Sequence, residues 1–300
     1  MDETPPHHAK MNHLILGTRG SDLALVQTRE TAARLRAAHP DLVIEERIIK
    51  TTGDKRLDVS LTAPGPLDKG LFTKELEEAL LRGEIHAAVH SLKDLPTTQP
   101  DGLIVAAVLE RADTSDALAS KHEGGWHGLP KGATVATCSL RRKNQMAHLR
   151  PDLNFVEVRG NMATRLRKLV ETPEIDALVL ARAAIDRLGR SLIPEGINIS
   201  VVEEMLPAPG QGAIGIECLE NDYSTRDLLA SINHKDTENC VNAERRLLMD
   251  LGGGCSMPLG ARATIENGDV VLVAALFEET GVRWIHPPQD SPISPASQPQ

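Results

Sequence analysis

HLILGT (residues 13–18) followed by RGSDLALVQTRETAARLRAAH (19–39) sets a short apolar run against a segment whose apolar residues recur at helical spacing. A strand leading straight into a helix is the opening of an α/β unit, and the pattern repeats down the chain. LVIEERII (42–49) reads as a strand, LFTKELEEALLRG (71–83) as an amphipathic helix ending at Gly83, and IHAAVHS (85–91) as a buried strand. GLIVAAVLE (102–110) follows, and after a polar break at RADTSD (111–116) a second group begins. In it ATVATCS (133–139), LNFVEV (153–158) and DALVLA (176–181) are strands, each followed by a helical segment. Alternating βα units imply open, mostly parallel sheets, and two such groups imply two α/β domains.

MLPAPGQGAIGIECL (205–219) carries prolines and glycines before and within an apolar run, so it reads as a crossover back to the first domain. Residues 110–114 and 205–210 then form a double hinge. The expected organisation is a discontinuous first domain (12–109 and 211–230), a second (110–210) and a small α+β third (231–285), with a disordered Pro/Ser/Gln-rich tail (286–300). In the third domain, TENCVNAERRLLMDLGGG (237–254) is expected to be a helix capped by Thr237 and ended by Gly252. PLGARATIENGDVVLVAALFEETGVRWI (258–285) reads as an antiparallel meander turning at NGD.

The chain has 300 residues, 41 % hydrophobic and 25 % charged, a balance suited to a soluble protein of two or three domains. No run approaches the roughly 18 apolar residues of a membrane span, and the N-terminus MDETPPHHAK does not read as a secretory signal, so the expected location is cytoplasmic. A formal charge of −9 and 2 % aromatics argue against a nucleic-acid binder, which needs cationic excess and stacking platforms. Cys138, Cys218, Cys240 and Cys255 form no CxxC pair, which leaves no zinc or disulfide pattern. The first three sit in mixed apolar runs and read as buried, inert thiols. Cys255 differs: it stands on a bare loop, LGGGCSMPLG (251–260), open to a nucleophilic, metal-ligating or unremarkable role.

Strand after strand ends in a short polar loop that carries a cation and opens a helix. The first gives Arg19 and Ser21, the third Lys93 and Asp94, ATVATCS gives Ser139, Arg141 and Arg142, and LNFVEV gives Arg159 with Arg165 a turn later. In open α/β sheets this carboxyl edge is where ligands bind, and helix N-termini add unpaired N–H groups. Two facing edges of this kind build a cleft for a polyanion. Taken singly, Arg141 and Arg142 can be a solvated helix face, and Asp94 a turn residue or cap. GTRGS lacks the GK[ST] of a P-loop and the GxGxxG of a dinucleotide site. An anion-binding solute receptor would share this cleft, and Lys93 alone is compatible with Schiff-base chemistry.

Together, GTRGSDLALVQT, TTGDK, KGLFTKELEEALLRGEIHAAVHSLKDLP, RADTSDAL, TCSLRRKNQMAHLRPDLNFVEVRGNMATRLRKL, LPAPGQGAIGIE and GGGCSMPLGA resemble the porphobilinogen deaminase (hydroxymethylbilane synthase) family, in family order over residues 14–262. The resemblance implies two periplasmic-binding-protein-like domains with a cleft between them and a third, cofactor-bearing domain. It implies a transferase of tetrapyrrole (heme) biosynthesis that joins four porphobilinogen molecules head to tail with loss of ammonia. Growth starts on a dipyrromethane primer held by a thioether, here on Cys255, and hydrolysis frees hydroxymethylbilane. The resemblance favours a monomer, and no metal requirement is visible in the sequence. Asp94 matches the catalytic carboxylate. Lys93, Ser139, Arg141, Arg142, Arg159 and Arg187 match cofactor-binding positions, and Arg19, Ser21, Gln27 and Arg165 substrate-binding ones. Cofactor and product chain present on the order of twelve carboxylates, for which bidentate arginines are suited.

Two departures stand out. The stretch 53–70 reads as a lid, but has Leu67-Asp68-Lys69-Gly70 where the family usually has Gly-Gly-Lys-Gly. After about Trp284 the chain turns into its Pro/Ser/Gln tail, so the third domain is expected to be truncated, with one face of its sheet uncovered.

Overall fold

A computed structural model describes residues 11–55, 72–254 and 257–286. Cys255, most of the expected lid and the tail beyond residue 286 lie outside the described residues.

The opening unit forms as its pattern requires. β1 (His13–Thr18) buries Leu14 and Leu16, and α1 (Asp22–Ala38) starts where the Ser21 hydroxyl accepts from the Ala24 N–H. There follow β2 (Val43–Ile48), α2 (Thr52–Lys55), α3 (Lys74–Leu81), β3 (Ala87–Ser91) and β4 (Leu103–Val108). The second group comprises β5 (Asp116–Ser120), β6 (Thr134–Ala136), α4 (Leu140–Leu149), β7 (Asn154–Val156), α5 (Met162–Glu171), β8 (Ala177–Ala181), α6 (Arg182–Leu188) and β9 (Asn198–Val202). β10 (Ile214–Leu219) and α7 (Tyr223–Ala230) complete the first group; α8 (Lys235–Asp250), β11 (Leu259–Glu266), β12 (Asp269–Glu278) and β13 (Gly281–His286) form the third.

Two five-stranded sheets result, ordered β2-β1-β3-β10-β4 and β7-β6-β8-β5-β9. In each, one strand runs antiparallel: β10 between β3 and β4, and β5 between β8 and β9. These are the strands that the chain lays down just after crossing between the groups, so each sheet is locked by a strand arriving from the other. The crossing segments also bond to each other, Leu109 N–H to Ile214 O at 3.0 Å and Ala112 N–H to Gly212 O at 3.2 Å. β5 and β8, interior strands of the second sheet, are buried throughout, as strands covered on both faces are, whereas the edge strands β2 and β7 stay partly exposed.

β11, β12 and β13 form the expected antiparallel meander. Its first turn places Asn267 and Gly268 at positive φ, 54° and 92°, as a two-residue hairpin turn needs. Alternation along β12 sends Ala274 and Leu276 toward Leu247, Leu248 and Leu251 at the end of α8, and Ala275 and Phe277 toward Leu206 of the hinge. The face expected to be bare is packed by Leu206 at Ala275 and Phe277, while Val273, Val282 and Trp284 on it stay partly exposed, and the Asn144 amide on α4 donates to Phe277 O at 2.6 Å. α8 also starts earlier than expected. His234 is its cap, accepting from Thr237 N–H, while the Thr237 hydroxyl accepts instead from the Arg111 N–H at 3.1 Å.

Candidate active site

The strand ends carry their polar residues to the joint between the two sheets. Ser139 and Asn161 cap α4 and α5 through side-chain oxygens, as Ser21 caps α1, so three helix N-termini stand beside the cationic loops. Arg19, past the end of β1, lies with its guanidinium carbon 4.2 Å from the Phe72 ring centroid. Gln27, buried on α1, accepts from the Ser91 hydroxyl at 2.9 Å, which fixes the end of β3.

Beyond β3 lies the helical turn Leu92–Asp94. Leu92 and Leu95 are 1 % and 2 % exposed and pack with Val108, Ala213 and Val241, so the two residues between them project away from that core. Asp94 is exposed, and Lys93 is part-exposed yet crowded by protein atoms. Burial pulls the Lys93 ammonium down to about 8, with Asp94 opposing that pull and Arg142 adding to it. Lys93 Nζ donates to Gln211 Oε1 at 3.5 Å, and the Gln211 amide donates in turn to Thr114 O at 2.7 Å and Asp116 Oδ1 at 3.1 Å.

Asp116 is the centre of the second sheet's contribution. It is fully buried and accepts from Arg141 Nη1 at 2.7 Å and Arg142 Nε at 2.9 Å. Burial works to raise its pKa, but the two guanidiniums prevail and hold the carboxyl well below the usual range. Arg141 also donates to Leu206 O and Arg142 to Val179 O. The Nε of Arg141 is buried with no hydrogen-bond partner among the described residues. Arg165 donates to Gly160 O at 2.7 Å, and Arg159 to Glu157 at 3.2 Å. Burial lowers the Arg165 guanidinium, and the charges it feels next are Cys138, Arg142, Asp94 and Arg159. Asp94 of the first sheet and Arg165 of the second therefore share one electrostatic space.

Lys93, Asp94, Arg142, Arg159 and Arg165 are thus brought together. Arg187 stands at the joint in another sense: its guanidinium donates to Glu30 on α1 at 3.1 Å and to Gly212 O at 3.2 Å, tying α6 to the hinge. Burial pushes the Cys218 thiol up to about 12 and raises Cys240, as expected of buried, inert thiols, whereas Cys138, expected to be buried too, is only half-buried and donates to Val158 O. Sequence reasoning missed Asp116, Gln211, Arg111 and Glu244. Arg111 makes a bidentate pair with the buried Glu244 at 2.7 and 2.9 Å, and Glu244 also accepts from Gly210 and Ala263 N–H. The available signal was one of polarity for three of them, since Asp116 and Arg111 bound a segment read only as a break and Gln211 lies in an otherwise apolar run; Glu244, in NAERR, looks like one more charge on an amphipathic helix.

An arrangement of cations around one exposed carboxylate can bind a polycarboxylate and stabilise a positive charge that develops among its rings. Comparison with known proteins gives that chemistry a context. Residues 14–227 match the family described as porphobilinogen deaminase, dipyromethane cofactor binding domain, and residues 238–286 match its C-terminal domain. A porphobilinogen deaminase of Chloroherpeton thalassium is 51 % identical over 256 residues, covering 85 % of this chain and 80 % of that one. Another, of Desulforamulus reducens, is 45 % identical over 288 residues, covering 95 % and 91 %. Among solved structures, the periplasmic VFT2 domain of Bordetella pertussis BvgS aligns at a TM-score of 0.43 with 12 % identity, over 81 % of this chain and 93 % of that one. By the match to the family over residues 14–227 and 238–286 and the identity to its curated members, the chain belongs to the porphobilinogen deaminase family, the enzymes of tetrapyrrole biosynthesis that polymerise porphobilinogen with a dipyrromethane cofactor.

Proposed function

We propose that the catalytic centre is Asp94 at the joint of the two sheets, that Cys255 holds the dipyrromethane by a thioether, and that the strand-end cations hold the carboxylates of cofactor and substrate. The observation that carries this reading is geometric: the turn with Lys93 and Asp94 at the end of β3 is joined through Lys93 and Gln211 to Asp116, which holds Arg141 and Arg142 of the second sheet. The donor set fits a polycarboxylate group: Lys93 and Arg165 both act on Asp94, and the buried Arg141 Nε has no protein partner among the described residues. Lys93, Ser139, Arg141, Arg142 and Arg159 would hold the cofactor, and Arg19, Ser21, Gln27 and Arg165 the incoming substrate. Arg187 joins the cofactor set only by releasing part of its hold on Glu30 and Gly212. The domains in this reading are 12–109 with 211–230, 110–210 and 231–285, and the working form is a cytoplasmic monomer.

Bound dipyrromethane supplies the pyrrole terminus from which the chain grows. The protein's own part is electrostatic. As ammonia leaves the aminomethyl carbon of porphobilinogen, positive charge spreads to the ring nitrogen. The Asp94 carboxylate, exposed into the cleft, stabilises that charge and accepts the N–H. Lys93 and the arginines fix acetate and propionate groups, so the ring is presented to Asp94 in one orientation.

The intact mass of the denatured full chain tests the anchor. Wild type is expected to carry a covalent excess equal to two pyrrole units, and Cys255→Ser to lack it. The same excess in Cys255→Ser would refute the thioether assignment.

A further inference from the structure

The turn that carries Lys93 and Asp94 is too short to hold itself. One backbone bond closes it, Leu95 N–H to Leu92 O at 3.2 Å, and Leu92 N–H ties its start to Ala213 O at 3.0 Å. Its exit is held from another part of the molecule. Arg245, on α8, donates from Nη1 to Leu92 O at 3.2 Å and Leu95 O at 2.9 Å, and from Nη2 to Pro96 O at 2.7 Å. One guanidinium thus gathers three carbonyls on both sides of Asp94.

α8 also packs Val241 against Leu92 and Leu95, and position 241 is one turn before 245 on the same helix face. Glu244, next to Arg245, fastens the helix to Arg111 and Gly210 of the hinge. The turn is therefore gripped by a helix that is itself anchored. We propose that Arg245 is a positioning residue for the reaction, holding the turn so that Asp94 meets the pyrrole nitrogen. The proposal rests on the reading of Asp94 as the catalytic carboxylate.

Geometry argues for position over bulk stability. Arg245 is part-exposed and lines an open groove of about 390 Å³ with Leu92, Thr97, Val105 and Met249. With a shorter side chain, Leu92 O keeps the Leu95 N–H and Pro96 O keeps the Gln99 amide, and Leu95 O can turn to water in the groove, so the loss falls on where the turn sits. Only a planar guanidinium offers a rigid fork of donors; a lysine ammonium can reach part of the set.

The test uses the full primed chain with Arg245→Gln, Arg245→Lys, Asp94→Asn and the Arg245→Gln/Asp94→Asn double variant. Arg245→Gln is expected to keep the wild-type covalent mass excess and to lose roughly 10- to 100-fold in kcat with KM changed by less than about three-fold. Amide exchange over residues 92–97 should quicken while β3 and β10 stay protected. Arg245→Lys should recover part of both. In the Asp94→Asn background, Arg245→Gln should lower the residual rate by less than about two-fold, because residues acting as a unit are not additive. Should Arg245→Gln lose the mass excess, Arg245→Lys carries the same comparison. Wild-type kcat in Arg245→Gln beside an inactive Asp94→Asn overturns the role of Arg245 alone, as does a loss that multiplies fully in the double variant. Normal turnover by Asp94→Asn overturns the assignment of Asp94 and this proposal with it.

Discussion

Lys93 is the residue at which charge, burial and position meet. Its ammonium is drawn down to about 8 by burial, against the opposing pull of Asp94. In the free enzyme the cation is present below that pH and lost above it. Holding the primer's carboxylates so that its terminal ring meets the incoming one needs the cation, so kcat/KM should fall as pH rises through about 8, and Lys93→Arg should remove that limb because a guanidinium does not titrate there. A profile unchanged in Lys93→Arg would separate Lys93 from holding the primer. Asp94→Asn keeps size and shape but removes the charge, so it should retain the covalent primer and lose nearly all turnover; a near-normal rate, read by ammonia release, would refute its role. These residues were legible in sequence because each follows a strand directly, where the fold exposes ligand-binding loops. Asp116 was not, since its meaning depends on Arg141 and Arg142, 25 and 26 positions away, and on Gln211, 95 positions away. A carboxylate in RADTSD looks like a turn residue until the crossover brings those partners to it.

Among elements, the paired crossing segments decide how the sheets sit on each other. Gly212 has φ of 87°, and a Cβ there would come within 2.6 Å of Ala112 O. Gly212→Ala meets both backbone strain and a fixed backbone atom, and should lower stability by about 2–4 kcal/mol. Gly132 has φ of 79° and nothing within 4 Å of its Cβ position, so Gly132→Ala should cost only about 1 kcal/mol. Denaturant midpoints at unchanged m-value measure the difference, and equal effects would place the cost in φ alone. The element order and hinge were readable from period and punctuation: apolar runs of strand length, helical spacing between them, and a proline–glycine crossover. The start of α8 was misread because Thr237 has the chemistry of a cap, whereas His234 does the capping with a ring nitrogen. Local pattern ranks hydroxyls above imidazole as caps, and here the tertiary bond from Arg111 engages the hydroxyl. The partly covered outer face of the meander was equally hidden, because Leu206 reaches it from the hinge, 53 residues before the first strand of that sheet.

At the scale of the molecule, Glu244 joins three parts that sequence distance keeps separate. Its carboxylate is fully buried and accepts four hydrogen bonds: two from Arg111 on one hinge segment, one from Gly210 on the other, and one from Ala263 on β11. Every movement of the third sheet relative to the hinge must break some of these. Glu244→Gln keeps the volume but puts an amide NH2 where an acceptor oxygen faced Arg111 or a backbone N–H, and leaves a largely buried guanidinium without its counter-charge, which typically costs about 3–5 kcal/mol. That cost is not spread evenly. The first two sheets keep their antiparallel strands β10 and β5, whereas the third is held to them through α8, the Leu206–Phe277 contact, the Asn144–Phe277 and Ala261–Pro207 hydrogen bonds and this carboxylate. Calorimetry of the wild type should therefore show one cooperative transition. Glu244→Gln should show two, with the third sheet melting first, seen as early loss of amide protection in β11–β13 while β5 and β8 stay protected. A single transition shifted downward as a whole would instead mean that packing alone couples the third sheet, with Glu244 adding stability but no cooperativity.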